Sequence, residues 1–383
     1  MSANLQHDPA PPHPFRLAYY PHWEKGNPYQ TLFYDALAPC GVECIEDFEF
    51  NRRWLREQAG KLDAVHTHWP EDLWRGYRPR WSSLPGYWRL RRVTQPLSSL
   101  QGLLALHRYL ACAGRLGIKR LWTIHNLEHH EGASWIDRLG YRVLARSSDV
   151  LVCTSGWAAD EVARRYRTAG QVVAVPIGTY DGVYPPPRPR RVVLEEFHLR
   201  DALPVVCCVG GLRDYKGLSL ALKAVESLGG AVQLIVAGRP LSGYDPALLR
   251  SAAARLPFVV LREEFVSDQA YSDIVAAADA VLLPYRKITG SAVLLAAWTL
   301  GRGVVASDLP YFREMADGEP ESAHFFPPGD ASALARAIVD YVNVPAERRS
   351  AAVQRLAARY AWDRCVEPLA DVIRTWRRRP DAG

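Results

Sequence analysis

Two cations stand in a glycine-rich segment, where they could neutralise a diphosphate. The segment, Gly210-Gly-Leu-Arg-Asp-Tyr-Lys-Gly217, follows a short apolar run that is predicted to be a strand and precedes a predicted helix. Gly210 and Gly211 would let a ligand approach the backbone closely. Arg213 and Lys216 would add charge-assisted hydrogen bonds beside the positive end of the helix dipole. The segment therefore predicts a diphosphate site, and the alternative is a tight turn with two solvated cations.

A second segment with the same potential is Pro284-Tyr-Arg-Lys-Ile-Thr-Gly-Ser291, which also follows an apolar run and opens a predicted helix. Its last three residues offer backbone N–H groups and hydroxyls to an anion, although a simple N-cap would use the same atoms. After a third predicted strand, the turn Gly238-Arg-Pro240 is either the wall of a nucleotide-base site or a plain turn. The predicted phosphate- and nucleotide-binding residues are Gly210, Gly211, Arg213, Lys216, Gly238, Arg239, Arg286, Thr289, Gly290 and Ser291.

Histidines and carboxylates in the first half of the chain could supply a general base. They fall in Val65-His-Thr-His-Trp-Pro-Glu71 and in Thr123-Ile-His-Asn-Leu-Glu-His-His-Glu131, which both begin in short predicted strands. Because parallel strands end at the same edge of a sheet, these side chains are expected on one rim, where they could activate a hydroxyl. The candidates are His68, Glu71, His125, His130 and Glu131. Structural histidines are the alternative, and a metal site is disfavoured because the spacing is unlike HExxH and no cysteine joins it.

An arginine-rich stretch interleaved with aromatic residues, WRGYRPRWSSLPGYWRLRR, spans residues 74–92. Aromatic rings beside cations suit the interface of an anionic membrane, where the rings lie among the head groups. We therefore predict a membrane or lipid contact, with a solvated loop as the alternative. Single-stranded nucleic acid is disfavoured because no nucleic-acid-binding fold signature accompanies the stretch. The predicted membrane-contacting residues are Trp74, Arg78, Arg80, Trp81, Trp88, Arg91 and Arg92.

Length and composition narrow the class of protein. The chain has 383 residues, which suit two domains better than one ordinary core. Hydrophobic residues make up 48% and charged residues 23%, and no apolar run reaches the roughly 18 residues of a spanning helix. No signal-peptide pattern opens the sequence, and the seven cysteines form no disulfide or zinc pattern. We therefore expect a cytoplasmic protein, whose net charge of +6 is compatible with an anionic substrate or membrane surface without specifying either.

Short apolar runs alternate with segments of helical period throughout the chain, which predicts an α/β fold with two parallel sheets. The Pro-rich segment 185–191 is predicted to be a stiff linker between a first domain, 14–184, and a second domain, 192–360. The last amphipathic segment, about 361–379, is expected to pack back on the first domain. Two domains also imply a cleft, and ligands of such sheets gather beyond the carboxyl ends of the strands.

Five blocks together resemble the bacterial exopolysaccharide glycosyltransferases of the GT-B type, and more closely the xanthan-type β-mannosyltransferases of glycosyltransferase family 94. The blocks are Asn27-Pro-Tyr-Gln-Thr-Leu-Phe-Tyr-Asp-Ala-Leu37, His66-Thr-His-Trp-Pro-Glu71, His125-Asn-Leu with His130-Glu131, Gly211-Leu-Arg with Tyr215-Lys-Gly217, and Leu283-Pro-Tyr-Arg286. They occur in the same order over residues 16–310. The resemblance implies a GT-B fold, in which two Rossmann-like domains face each other across a cleft.

The resemblance also implies a reaction, the transfer of a sugar from a nucleotide-sugar donor to a hydroxyl of a lipid-diphosphate-linked oligosaccharide at the inner membrane face. GDP-mannose is the favoured donor. In this group the second domain holds the donor, the first meets the acceptor, and neither a metal nor another cofactor is required. Arg213 and Lys216 would neutralise the leaving diphosphate. The resemblance does not fix the base, for which the candidates in order are Glu131, Glu71 and His68. The expected acceptor-binding residues are Asn27, His125 and His130.

One departure from the broader group bears on stereochemistry. Many retaining GT-B enzymes carry a glutamate at each end of an E-x7-E segment, and the equivalent positions here are Ile288 and Ala296. An inverting, β-forming reaction is therefore predicted. A UDP-sugar such as UDP-glucose or UDP-glucuronate is an alternative donor, because a few polar contacts decide such selectivity. A sugar-nucleotide 2-epimerase and a non-catalytic sugar-binding protein, which share the architecture, are the further alternatives.

Overall fold

The computed structural model describes residues 13–22, 28–45, 48–77, 87–127, 134–241 and 243–378, without the side chains of 87–94 and 378. These residues form two compact domains. The first runs to Pro176 and resumes at Val366, and the second comprises Ile177–Cys365. Each contains a six-stranded parallel sheet, so the predicted α/β class with a Rossmann-like sheet in each domain is confirmed.

The sheet of the first domain has the strand order β2-β1-β3-β4-β5-β6. Its strands are β1 (Phe15–Tyr20), β2 (Val42–Ile45), β3 (Ala64–Thr67), β4 (Lys119–Ile124), β5 (Val150–Cys153) and β6 (Gln171–Ala174). Its helices are α1 (Tyr29–Leu37), α2 (Arg52–Glu57), α3 (Asp72–Arg75), α4 (Tyr87–Arg115), α5 (Trp135–Ser147) and α6 (Gly156–Arg165). Strands β3 and β5 are buried along their whole length, which explains their continuous apolar or neutral sequences.

The sheet of the second domain has the strand order β12-β11-β10-β7-β8-β9. Its strands are β7 (Val205–Val209), β8 (Gln233–Ala237), β9 (Val259–Arg262), β10 (Ala280–Leu283), β11 (Val304–Ser307) and β12 (Ala323–Phe326). Its helices are α7 (Arg190–Glu196), α8 (Leu218–Ser227), α9 (Ala247–Arg255), α10 (Asp268–Ala277), α11 (Ala292–Thr299), α12 (Pro310–Met315), α13 (Ala331–Val342) and α14 (Ala346–Arg359). The final helix, α15, is Trp362–Arg378.

Separate apolar cores hold the two sheets. In the first domain, Val65 and Leu151 of the sheet pack in one cluster with Leu106 of α4. In the second, Val206 and Leu234 of the sheet pack with Leu222 of α8. Each of these side chains is almost completely buried, and such burial contributes about 1.5–3 kcal/mol per residue. The cores thus fix the strand ends from which the polar loops project.

The bounds of the domains differ from those predicted at the Pro-rich segment. The first domain ends at Pro176, and residues 185–191 belong to the second domain instead of forming a separate linker. Arg188 donates to the Asp273 carboxylate on α10 through its backbone N–H and Nε, both at 2.7 Å, and the Ser272 hydroxyl donates to the Pro185 carbonyl oxygen at 2.7 Å. The segment is therefore fixed against α10, because its polar groups find their partners there.

Helix α15 begins in the second domain, and its residues from Val366 onward belong to the first. In that part, Trp376 stacks on Phe15 of β1 with ring centroids 5.9 Å apart, and the Lys119 ammonium lies 5.7 Å from the centroid of the Trp376 ring. The end of the chain therefore completes the first domain.

Candidate active site

The strand order of the second domain creates a switch point between β7 and β10. From β7 the chain continues to β8 and β9 on one side, then crosses to β10, β11 and β12 on the other. Loops that follow the two strands at such a point diverge and leave a crevice for a ligand. The loops after β7 and β10 are the two segments that the sequence predicts to bind phosphate.

Two glycines bring these loops into backbone contact with their neighbours. A methyl group on Gly217, whose φ is +67°, would overlap the Pro284 carbonyl oxygen in the loop after β10. A methyl group on Gly238, after β8, would likewise overlap the Gly210 carbonyl oxygen. Only glycine permits both approaches, so the three loops form one packed unit at the carboxyl end of the sheet.

Lys216 is the buried cation of this unit. Its side chain is 9% exposed, and Nζ lies 3.4 Å from the position that a Cβ on Gly210 would occupy. Burial, together with a smaller effect of the nearby Arg213, lowers the pKa of Lys216 to about 8. Within the described parts of the chain, no carboxylate forms an ion pair with Lys216. A buried ammonium without a carboxylate partner is costly, and a bound anion would remove that cost.

The other predicted cations are more exposed. Arg213 is half-buried, whereas Arg239 and Arg286 are exposed. Arg286 pairs with Asp214, with 2.7 Å between Nη1 and Oδ2, and its backbone N–H donates to the Tyr215 carbonyl oxygen at 2.9 Å. Arg286 therefore ties the loop after β10 to the loop after β7. Such an exposed pair adds little stability, and Asp214 partly neutralises the charge that Arg286 presents.

The predicted anion site at the start of α11 is occupied in part by the protein itself. The Ser291 Oγ accepts from the Leu294 N–H at 3.2 Å, and the Ser291 N–H donates to the Tyr311 hydroxyl at 3.0 Å. Ser291 thus acts as an N-cap, the alternative reading of this segment. Thr289 is buried and the backbone at Gly290 is half-buried, so these two residues lie beside the cap.

In the first domain, buried histidines form a hydrogen-bonded network at the equivalent switch point, between β1 and β3. The Tyr34 hydroxyl of α1 lies 2.9 Å from His66 Nδ1 and 2.7 Å from His68 Nε2. His66 Nε2 lies 2.7 Å from the Thr123 hydroxyl, and His68 Nδ1 lies 3.1 Å from His125 Nε2. One continuous chain of hydrogen bonds therefore runs from β4 through β3 and α1 to the loop after β4.

These histidines are neutral at pH 7. Burial lowers the pKa of His66 and of His125 to about 3, and it lowers the pKa of His68 well below its ordinary value. Both ring nitrogens of His68 are engaged and its side chain is 1% exposed. This geometry favours a positioning role for His68 over direct proton abstraction. The His125 ring stacks on Trp69, with centroids 4.2 Å apart, so its orientation is fixed as well.

Glu71 is the one predicted carboxylate base within the described residues. It is half-buried, and it accepts a hydrogen bond from the Tyr141 hydroxyl of α5 at 2.5 Å. The remaining candidates Glu131, His130 and Asn27 lie outside the residues that the structure describes.

The prediction that Trp74 contacts the membrane is wrong. Its side chain is completely buried, and its indole Nε1 donates to Asp137 Oδ1 at 2.8 Å. Burial alone would raise the pKa of Asp137, but hydrogen bonds from Arg75, Trp74 and Ser134 hold it well below its usual range. Arg78, Arg80 and Trp81 lie outside the described residues, and for Trp88, Arg91 and Arg92 only the α4 backbone is described.

Three members of the histidine network were not predicted as site residues, namely Tyr34, His66 and Thr123. Their signal was present in the sequence, because Tyr34 lies in the block Asn27–Leu37 and His66 opens His-Thr-His. Residues two apart on a strand point to the same face, so His66 and His68, on either side of Thr67 at the end of β3, both reach Tyr34. The pattern alone could not identify α1 as the element that faces them.

The described parts of the chain lack the features of a membrane span and of a metal site. No helix there is long and apolar enough to cross a membrane. No group of three or more histidine, cysteine, aspartate or glutamate side chains there is arranged to hold a metal ion.

Comparison with known proteins defines the class. Residues 203–343 match the family described as Glycosyl transferases group 1. The fold is similar to that of sucrose-phosphate synthase from Thermosynechococcus elongatus, with a TM-score of 0.64 and 18% identity over 95% of this chain and 99% of the other. Anabaena Alr3699/HepE in complex with UDP and glucose gives a TM-score of 0.64 and 16% identity over 95% and 100%. The chain is therefore a glycosyltransferase with the GT-B fold.

Sequence similarity narrows the class further. The GDP-mannose:glycolipid 4-beta-D-mannosyltransferase of Xanthomonas campestris pv. campestris is 26% identical over 298 residues, which cover 73% of this chain and 69% of that protein. The predicted resemblance to a β-mannosyltransferase is thus confirmed as a similarity.

Proposed function

We propose that the protein is an inverting, metal-independent mannosyltransferase. It transfers mannose from GDP-mannose to a hydroxyl of a lipid-diphosphate-linked oligosaccharide in exopolysaccharide assembly. The observation that carries the donor half is Lys216, a buried cation without a carboxylate partner among the described residues, beside Gly210 at the β7–β10 switch point. The name of the Xanthomonas relative, which states a GDP-mannose donor and a glycolipid acceptor, supports the choice of substrates.

At the donor end, Lys216 and Arg213 neutralise the charge that develops on the departing diphosphate. The bond between the sugar C1 and the diphosphate oxygen breaks as the acceptor oxygen attacks C1 from the opposite face, so the configuration inverts. Fixed cations at the position of developing charge are worth a factor of about 100–1,000 in rate per group. Thr289 and Gly290, beside the Ser291 cap, provide further polar groups for a phosphate.

At the acceptor end, a carboxylate takes the proton of the attacking hydroxyl. Glu131 is the first candidate and Glu71 the second, while His68 positions the acceptor through His125. The neutral state of the histidines fits this role, because neutral imidazoles can donate to and accept from sugar hydroxyls. The acceptor lipid would bring the protein to the cytoplasmic face of an anionic membrane as a peripheral protein.

A UDP-sugar donor is the second candidate. It is favoured by the similarity in fold to Anabaena Alr3699/HepE, whose structure holds UDP and glucose. The loops after β7, β8 and β10 provide a phosphate site for either nucleotide, whereas the base contacts that separate guanine from uracil follow from a few polar groups.

Thermal unfolding with each nucleotide tests the donor. A ligand that binds only the folded state raises the apparent stability, by about 2.7 kcal/mol at one hundred times its Kd. We expect GDP to raise the melting temperature and UDP to have little effect. Stabilisation by UDP alone would move the assignment to the second candidate, and a protein that responds to neither nucleotide would contradict both. Transfer of radiolabelled mannose to a polyprenyl-diphosphate oligosaccharide in detergent then tests the acceptor.

A further inference from the structure

A pocket lined by arginines lies in the first domain, away from the histidine network. It is formed by Arg142 and Arg146 of α5 together with Arg165, Tyr166 and Arg167 at the end of α6, and its volume is about 260 Å3. This is several times the roughly 30 Å3 that one water occupies in the liquid. The pocket can therefore accept a phosphoryl group.

The positive charge of this arginine pocket is mostly uncompensated. Arg165 pairs with Glu161, with 3.7 Å between Nε and Oε2, and Glu161 also pairs with Arg164. Among the described residues, Arg142, Arg146 and Arg167 form no ion pair with a carboxylate. The dipoles of α5 and α6 favour cations in their last turns, which accounts for Arg146 and Arg165 but not for Arg142 or Arg167. Four arginines lining one pocket favour an anion there.

A cavity of the second domain shows the contrast. It is lined by charged residues of α12, β12 and α13 and has a volume of about 590 Å3. There, Arg313 pairs with Asp308 at 2.6 Å, and Glu319 pairs with Arg355 at 2.7 Å. These two pairs balance charge within the protein, whereas three of the four arginines of the arginine pocket have no ion pair among the described residues.

The exposed stripe of α5 continues from the arginine pocket into apolar residues. Trp135, Leu139, Arg142 and Arg146 follow each other at intervals of three or four, so they lie along one side of the helix. Trp135 is 58% exposed and Leu139 is 38% exposed. The opposite side of α5, which includes Leu144, is buried in the core. The same helix thus presents an apolar end and a cationic end to solvent.

Helix α4, which packs against α5, repeats this pattern. Its residues Leu97, Leu100 and Leu104 are exposed, and His107 and Arg108 continue their stripe. Gly140 of α5 approaches Leu103 of α4 so closely that an added methyl group would lie 3.0 Å from its Cδ2. Exposed leucines and a tryptophan next to cations match a surface that lies in the interface of an anionic bilayer.

We propose that this face of the first domain docks on an anionic phospholipid membrane. A lipid headgroup phosphate would lie in the arginine pocket, and Trp135 and Leu139 would lie at the boundary between the headgroups and the acyl chains. The proposal deepens the membrane association proposed above. It gives that association a surface other than the one predicted from the sequence around Trp74.

Sedimentation with vesicles, in the absence of donor and acceptor, tests the docking surface. Wild-type protein should bind vesicles of phosphatidylcholine with phosphatidylglycerol and should bind poorly to phosphatidylcholine alone. Each arginine near an anionic surface contributes a factor of about five, so the R142Q/R146Q variant should bind roughly thirty-fold more weakly. The W135S/L139S variant should also bind more weakly, and added salt should weaken the wild type because it screens the attraction.

The matched control is K223Q/R348Q, which removes two exposed cations of the second domain that are not part of the proposed docking face and should bind within about two-fold of the wild type. Vesicle binding by R142Q/R146Q equal to that of the wild type would overturn the proposal. Binding of inorganic phosphate or of a single-stranded oligonucleotide by the arginine pocket, without any binding of vesicles by the protein, would also overturn the proposal. Because no substrate is present, failure of mannosyl transfer would leave this result unaffected and would count only against the proposed function.

Discussion

The two domains place opposite electrostatics at equivalent positions of the same architecture. At the switch point of the second domain lies a buried cation, Lys216, and at that of the first lies a chain of neutral imidazoles around His68. Burial acts on both sites, but the ordinary pKa of lysine is high enough that Lys216 keeps most of its charge at pH 7, whereas the histidines lose theirs. Two parallel sheets with different strand orders therefore present a cation at one switch point and uncharged imidazoles at the other.

The largest expected effect on the contrast between the two switch points comes from substitution of Lys216. Lys216→Ala removes the cation that we propose neutralises the leaving diphosphate, and we expect kcat to fall by about 100–1,000-fold. The melting temperature should be unchanged or higher, because the variant also removes a buried charge without a carboxylate partner among the described residues. Lys223→Ala, an exposed lysine of α8, is the control and should keep full activity. If Lys216→Ala kept its activity, the proposed placement of the donor site at this switch point would be contradicted.

The packing of the donor loops can be separated from backbone conformation with two glycines. Gly217 and Gly229 have φ values of +67° and +59°, but only a methyl group on Gly217 meets another atom, the Pro284 carbonyl oxygen. Both alanine variants lose about 1–2 kcal/mol from the left-handed conformation. Gly217→Ala should lose a further 1–3 kcal/mol or so from the overlap and should bind nucleotide more weakly. Chemical denaturation measures the difference, and equal losses would show that the loops do not need this contact.

The neutral site can be tested by removing one hydroxyl. Tyr34→Phe leaves His66 and His68 without their shared partner, and a buried unsatisfied group costs about 1–3 kcal/mol of unfolding free energy. We also expect a higher KM for the acceptor and an unchanged affinity for the nucleotide. Tyr109→Phe is the control, because the Tyr109 hydroxyl is buried in the same domain without a hydrogen-bond partner in the structure. Equal effects of the two variants would mean that the network does not position the acceptor.

The central strands and the cationic loops could be predicted from the sequence because their signals are local. The interior strands β1, β3, β5 and β7 are short apolar runs, and glycines with cations mark the loop after β7. Strands β2 and β12 have a weaker local signal. Both lie at a sheet edge, where half-exposed residues such as Glu43 and His324 dilute the apolar pattern.

Other features depend on residues far apart in the sequence. Trp74 was assigned to an interfacial stretch, but its partner Asp137 comes from α5, more than sixty residues later, and α4 and α5 both pack against it. Helix α5 itself has a weak local signal. It contains Gly140, which lowers helix propensity by about 1 kcal/mol and is explained only by the close packing of Trp74 and Leu103.

The smallest expected effect is a dependence of nucleotide affinity on pH, which should arise at Lys216 and not at the histidines of the first domain. The pKa of Lys216 is lowered to about 8, so the free protein loses this charge as the pH rises from 7 to 9. A bound diphosphate favours the charged form, and nucleotide affinity should therefore fall by about tenfold over this interval. In the absence of nucleotide the sign is opposite. Above pH 8 the unfolded chain binds the proton that the folded protein has released, so this lysine makes the free energy of unfolding rise with pH until its ordinary pKa is reached.

Isothermal titration with GDP at several pH values measures the affinity, with Lys216→Met as the matched variant. The variant should bind more weakly than the wild type and should lack the decline between pH 7 and 9. The histidines of the first domain titrate far below this interval, because burial lowers the pKa of His66 and of His125 to about 3. A decline that persists in Lys216→Met would therefore have to come from a group other than Lys216 or these two histidines, and the buried cation would lose its assigned role.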